Sequence, residues 1–185
     1  MGRWEPDARG RLARAALVLS ARQGYENTTV AEIAAAAGVT ERTFYRHFPD
    51  KADALFPDNT SVLVRLADVT GEAARAGRTA LDAALAAALD LAAIAFQEPE
   101  RVLLGARVIP GVPALAGREL VRQRQIVDAV SEALAGCGVA TLEARLAAET
   151  ALGVWRVAVR EWALDPEARP LPDAVVAAAA AMRAL

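Results

Sequence analysis

Six side chains able to donate or accept hydrogen bonds crowd residues 41–47: Glu41, Arg42, Thr43, Tyr45, Arg46 and His47. Thr40 ahead of them suits a helix cap, and Pro49 behind them stops a helix near Phe48, so the set shares barely two turns. Phe44 and Phe48, four residues apart, must turn inward with Val39, which leaves the polar side chains outside. A helix this short does not persist alone, so its surroundings hold it for what its outer face touches. That face is built for hydrogen bonding to a patterned polar surface.

The residues before it explain how such a helix is placed. Thr29 stands three residues before Glu32, the spacing of a capping box, and Val30, Ile33 and Ala34 fall on one face at i, i+3, i+4. Gly38 ends that first helix, being the residue that most readily takes positive φ. Two short helices joined by a tight turn make a helix–turn–helix, whose second helix can enter the major groove with its N-terminal residues at base edges. A solvated helix in a small bundle would give the same pattern, because the shape alone is common.

The stretch TTVAEIAAAAGVTERTFYRHFPDKADALF resembles the DNA-binding domain of the TetR family of bacterial transcriptional regulators. The shared features are the Thr-Thr opening, the Ile-Ala pair, the Gly-Val-Thr turn, the aromatic pair before His-Phe and the lysine of the next segment, over roughly residues 10–56. By that resemblance Thr29, Thr40, His47 and Lys51 face phosphates, and Arg42, Thr43 and Tyr45 reach base edges, with Arg46 and Glu41 beside them. Arg42 is the natural reader of a guanine, whose O6 and N7 match a guanidinium fork. The resemblance implies an all-α, TetR-like chain: a three-helix head over residues 1–56, and a six-helix ligand-binding and dimerisation domain over 57–185.

Composition agrees with helix. Apolar residues make up 55% and aromatics only 5%, so alanine and leucine, the strongest helix formers, supply the excess. Net charge is −2, but residues 1–56 carry eight basic and seven acidic groups, so the head is only faintly basic and its salt-dependent DNA affinity should be modest. Met1 is followed by polar residues rather than a signal sequence, and the apolar run 83–96 is short and broken by Asp90. A cytoplasmic protein without a membrane partner is expected. Cys137 has no sequence neighbour to activate it and His47 no second ligand nearby, so neither a redox role nor a metal or other cofactor is expected.

Behind the head the periodicity gives six more helices. Residues 1–6 are expected as a tail, and the first helix spans about 7–23, with Arg9, Arg11 and Arg14 either on a solvated face or near a flanking phosphate. A helix begins at Asp50 and runs to about Ala76, interrupted at Pro57 with a fresh cap in DNTS at 58–61. Others are expected over about 79–96, 99–108, from 113 or 117 to 135 (Leu120, Val127, Val130 and Leu134 inward), 141–164 and 173–185. Asp90, inside an apolar helix, needs a partner or a wet cavity.

The resemblance places a ligand cavity between the fifth and eighth helices, with Leu89, Ala93, Phe96 and Leu103 as candidate lining; Arg107, Trp155 and Val159 complete the set. Each could equally be ordinary core. The small stripe Leu146, Thr150, Gly153 and Val157 would allow close approach of a second copy, or bury within the monomer. ERVLLGARVI and ARLAAETALGVWRVAVREWAL are similar to a family branch that binds acyl-CoA-like ligands. The expected function is a homodimeric repressor of a palindromic double-stranded DNA operator, released by a small, largely apolar effector. The rival is a helical small-molecule-binding protein or an enzyme using the same cavity. An enzyme needs a nucleophile with a base, paired carboxylates or a metal cluster, and the acids here are dispersed.

Overall fold

A computed structural model describes residues 7–56 and 58–185. Expectations for a tail over 1–6 and for a break at Pro57 itself lie outside the described residues. Nine α-helices are present among the described residues, with no strand: α1 (Ala8–Gln23), α2 (Val30–Ala36), α3 (Glu41–His47), α4 (Thr60–Arg75), α5 (Ala80–Ala95), α6 (Pro99–Val108), α7 (Pro113–Gly136), α8 (Thr141–Leu164) and α9 (Leu171–Arg183). The chain is all-α, as its composition and periodicity imply.

Helix starts follow the cap residues. Thr29 accepts from the Glu32 amide while Glu32 returns a bond to the Thr29 amide, so the capping box is complete. Thr40 and Thr79 likewise accept from the amides three residues on. Gly38, at φ +69°, makes the turn between α2 and α3 that a side chain would strain. Two boundaries differ from expectation. Residues 51–55 form turns, so α4 begins only at Thr60. The last helix begins at Leu171, because Pro172 fits a first turn, where no amide bond is lost.

Contacts gather the chain into two units. One comprises the residues up to Asp58 together with Glu100–Arg118; the other comprises Asn59–Pro99 with Glu119–Leu185. The grouping therefore does not follow a single cut after residue 56. In the first unit Leu12, Ala16, Ile33, Phe44 and Phe48 form a core that also takes in Val108 and Leu115, both buried. Arg14 adds an exposed ion pair to Glu100 at 2.7 Å.

In the second unit α5 packs on α4, α8 and α9. Asp90 finds its partner in Arg65, whose guanidinium donates to both carboxylate oxygens at 2.6 Å. Asp82 pairs with Arg183, tying α5 to α9, and Asp128 with Arg145, tying α7 to α8. Val127, Val130 and Leu134 are buried as expected, but Leu120 is 66% exposed: α7 gives Leu115 to one core and Ile126 onward to the other, and Leu120 falls between the two buried sets.

Leu115 is fully buried in the first unit's core. Leu115→Ala should therefore lower stability by about 2–5 kcal/mol, the range for a buried leucine truncated in a packed core. Chemical denaturation of the full chain checks this, and a near-neutral result would mean that residues up to 58 hold that core without the later segment.

Candidate nucleic-acid interface and bundle cavity

α3 presents Glu41, Arg42, Tyr45 and Arg46 to solvent, while Thr43 and His47 are half-buried. Tyr45 is 57% exposed with its ring edge-on to Phe44 (centroids 5.5 Å, 84°), so an inward aromatic braces an outward one. Neither Arg42 nor Arg46 is paired with a carboxylate among the described residues. The Thr40 and Thr43 hydroxyls lie 3.1 Å apart and share a hydrogen bond at the helix start. The Nε2 of His47 is covered by protein, without a hydrogen-bond partner among the described residues.

Several other cations of this unit make contacts within the protein. Lys51 donates to the Tyr25 and Thr28 carbonyls at 2.6 and 2.7 Å, with its ammonium 4.1 Å from the Tyr25 ring centroid. Two of its three N–H bonds thus fasten the α1–α2 turn, which leaves one for anything outside. Arg11 donates to the Ala37 carbonyl at the end of α2, and Arg9 lies over the Phe48 ring. Thr29 is exposed, and its hydroxyl serves the capping box.

The turn leaving α3 carries the charge cluster. Asp50 Oδ1 accepts from the Asp53 amide at 2.9 Å, and Arg118 donates to Asp50 at 2.6 Å and also to Asp53. Burial alone would raise the Asp50 pKa; the Asp53 amide and the Arg118 charge outweigh it and hold that carboxyl below its ordinary value. Nothing in the local sequence pairs residues 50 and 53 with residue 118, so sequence reasoning missed this contact.

The second unit contains a small, partly open pocket, about 20 Å³ in volume, whose lining is apolar. α5 contributes Ala84, Ala87, Ala88 and Leu91, and α8 contributes Ala148, Ala151, Leu152 and Trp155. Leu66 of α4 and Ile126 and Val130 of α7 close it. Of the residues expected to line a cavity, Trp155 lines this pocket. Leu89, Ala93 and Phe96 lie on the exposed side of α5, Arg107 is exposed in the other unit, and Leu103 and Val159 are half-buried. The reason is angular. Leu89, Ala93 and Phe96 fall near whole turns from Asp82, so they share the stripe of that charge, and the cavity takes the opposite stripe. Asp82 was the signal in the sequence that could have oriented the helix.

On α8 the small stripe points outward: Leu146 and Val157 are 58% and 56% exposed, Thr150 and Gly153 half-buried. Leu142 and Leu164 extend it along α8, and Val176 of α9 is exposed too. Cys137, expected to have no basic neighbour, has the Arg75 guanidinium 3.9 Å from its sulfur, brought there by folding. No group of three or more acidic, histidine or cysteine side chains among the described residues could hold a metal ion, and no single described helix is long and apolar enough to cross a membrane.

Comparison with known proteins bears on this arrangement. Residues 12–56 match the family described as bacterial regulatory proteins, tetR family. A stretch of 45 residues of the chain is similar to the HTH-type transcriptional regulator TcmR of Streptomyces glaucescens, at 53% identity. That match covers 24% of this chain and about a fifth (20%) of the relative's length. The fold is similar to Thermus thermophilus FadR, a TetR-family repressor crystallised with lauroyl-CoA: TM-score 0.56 and 22% identity, covering 92% of this chain and 90% of that one. It is also similar to FadR of Bacillus halodurans, a fatty acid degradation regulator: TM-score 0.66 and 18% identity, covering 96% and 94%.

The capping box makes a pH prediction. The Glu32 carboxyl is held below its ordinary value by the Thr29 amide and hydroxyl and by the Gln23 side chain. Its folded pKa lies below the unfolded one, so the box contributes fully above the unfolded value and is lost as pH falls through the folded value. Acidification below about pH 4.5 should therefore lower the hydrogen-exchange protection at the start of α2, relative to the unprotected amide at the same pH, and Glu32→Gln should remove that dependence.

Proposed function

We propose that this chain, whose residues 12–56 match the tetR family of bacterial regulatory proteins, is a regulator of that family and acts as a homodimeric, ligand-responsive repressor of a palindromic DNA operator. The observation that carries this reading is the outward face of α3, where Arg42, Tyr45 and Arg46 stand exposed and unpaired by carboxylates on a helix fixed by its buried Phe44. Residues 1–56 read DNA, and 57–185 bind ligand and dimerise. Arg42 reads a guanine edge with its fork, with Thr43, Tyr45 and Arg46 at neighbouring bases. Thr29, Thr40 and His47 meet phosphates, and Lys51 holds the α1–α2 turn while giving its remaining N–H outward.

The exposed stripe of α8, with Leu146, Thr150, Gly153 and Val157, pairs with its copy across a two-fold axis. A monomer would leave that apolar stripe in water, whereas an isologous interface covers it twice. Two heads then meet successive major grooves about 34–36 Å apart. A small, largely apolar effector enters the α4–α5–α7–α8 cavity and favours a state that binds operator less well. Since Thermus thermophilus FadR was crystallised with lauroyl-CoA, acyl-CoA-like compounds are the first effectors to try. The protein works in the cytoplasm, where its operator is, and needs no catalytic group.

Selection of bound sites from a random duplex library at two salt concentrations tests the proposal. An enriched palindrome that survives moderate salt is expected, and sequence-blind binding abolished by salt would overturn it. On the selected duplex Arg42→Ala should cost about 1–3 kcal/mol, roughly 5- to 150-fold, and relax preference at one base position. Leu146→Asp with Val157→Asp should convert a dimer to a monomer in sedimentation and abolish operator binding. A variant that stays dimeric would move the interface elsewhere.

A further inference from the structure

We propose that Arg118, at the start of α7, is a positioning residue for the recognition helix α3, acting through its bridge to Asp50 and Asp53. This rests on α3 being the element that reads DNA. α3 has seven residues and cannot fix its own direction. Its start is held by the Thr40 cap and its inner face by Phe44, with Phe48 buried behind it. Its exit, Phe48-Pro49-Asp50, runs straight into turns rather than a helix, so no helical ladder beyond it carries the direction onward.

The bridge supplies what the backbone lacks there. Asp50 already closes the turn on the Asp53 amide, and the Arg118 guanidinium spans both carboxylates, one nitrogen to each. The arginine is itself fixed. It follows Leu115 by three residues on one helix, and Leu115 is fully buried in the core that contains Phe44 and Phe48. The carboxylates two and five residues after Phe48 are thus tied to a helix anchored in the recognition helix's own core. Side chains of Arg118, Asp50 and Asp53 are 38%, 51% and 31% exposed. Water screens such pairs, so they add little to overall stability. The value of a planar fork at this place is geometric.

The bridge could instead merely mask two carboxylates from nearby phosphates, or brace the head as a whole. Three variants of the full chain separate these roles: Arg118→Ala, the double variant Arg118→Ala/Asp53→Asn, and Arg118→Lys. The double variant lacks the bridge but keeps the wild-type net charge. Affinity is measured for the selected operator and for a scrambled duplex of equal length, alongside thermal melting.

Positioning predicts that both alanine variants lose operator affinity by about tenfold, the scale of one bidentate base contact. The double variant should bind scrambled duplex and melt like wild type. Arg118→Lys should fall between, because a point charge cannot span two carboxylates. Recovery of wild-type operator affinity in the double variant would reduce Arg118 to charge masking and overturn the proposal. Equal losses on both duplexes with a lowered melting temperature would overturn it as well, as general bracing. A wild-type protein that does not prefer operator over scrambled duplex would instead remove the underlying reading of α3.

Discussion

The burial of Phe44 and Phe48 is the constraint on which the head depends. A two-turn helix has almost no stability of its own, because the first turn fixes several dihedrals for a single hydrogen bond. Two phenylalanines at i and i+4, with 0% and 1% of their surface exposed, convert that weak element into a fixed one. Their burial also decides which residues face out. Once positions 44 and 48 turn inward, positions 42, 45 and 46 have nowhere to go but the surface. The exposed polar face is therefore a consequence of core packing, and the aromatic brace of Phe44 on Tyr45 makes the link direct.

That core is not assembled from neighbouring residues alone. Val108 and Leu115 enter it from a segment more than fifty residues beyond Phe48, and Glu100 and Arg118 add polar ties to Arg14 and to Asp50 and Asp53. A 56-residue domain buries a small share of its surface and is correspondingly marginal. Borrowing two buried side chains from α6 and α7 offsets that deficit. α7 then continues into the second unit, where Ile126 and Val130 line the apolar cavity, so one unbroken helix supplies residues to both.

What was legible in the sequence follows from how local each cause is. The capping box at Thr29 and Glu32, the caps at Thr40 and Thr79 and the turn at Gly38 each act within four residues, and each stands where the spacing placed it. The partner of Asp90 was required by burial cost, though only folding named Arg65. The faces of α5 were harder, because alanine and leucine surround most of it; the charge of Asp82 in its first turn held the answer. Leu120, Lys51 and the Arg118 bridge were not legible, since each depends on which distant residues arrive beside it. Lys51 shows the limit well: its type suits a phosphate, but its position hands two of its three N–H bonds to the Tyr25 and Thr28 carbonyls.

The fate of the cations bears on how the head would hold DNA. Of the basic side chains described in the head, Arg9 lies over Phe48, Arg11 closes α2, Arg14 meets Glu100 and Lys51 holds a turn. Arg22, Arg42 and Arg46 are exposed without such a contact among the described residues, and two of those three sit on α3. Affinity from neutralised phosphates scales with the number of cations that reach them, so a head arranged this way draws little from the backbone of any duplex. Hydrogen bonds at base edges must then carry a larger share, and those demand orientation within a few tenths of an ångström. A reader poor in phosphate contacts therefore depends more than a basic one on the exact seating of its recognition helix, which is where the buried phenylalanines and the bridge at its exit converge.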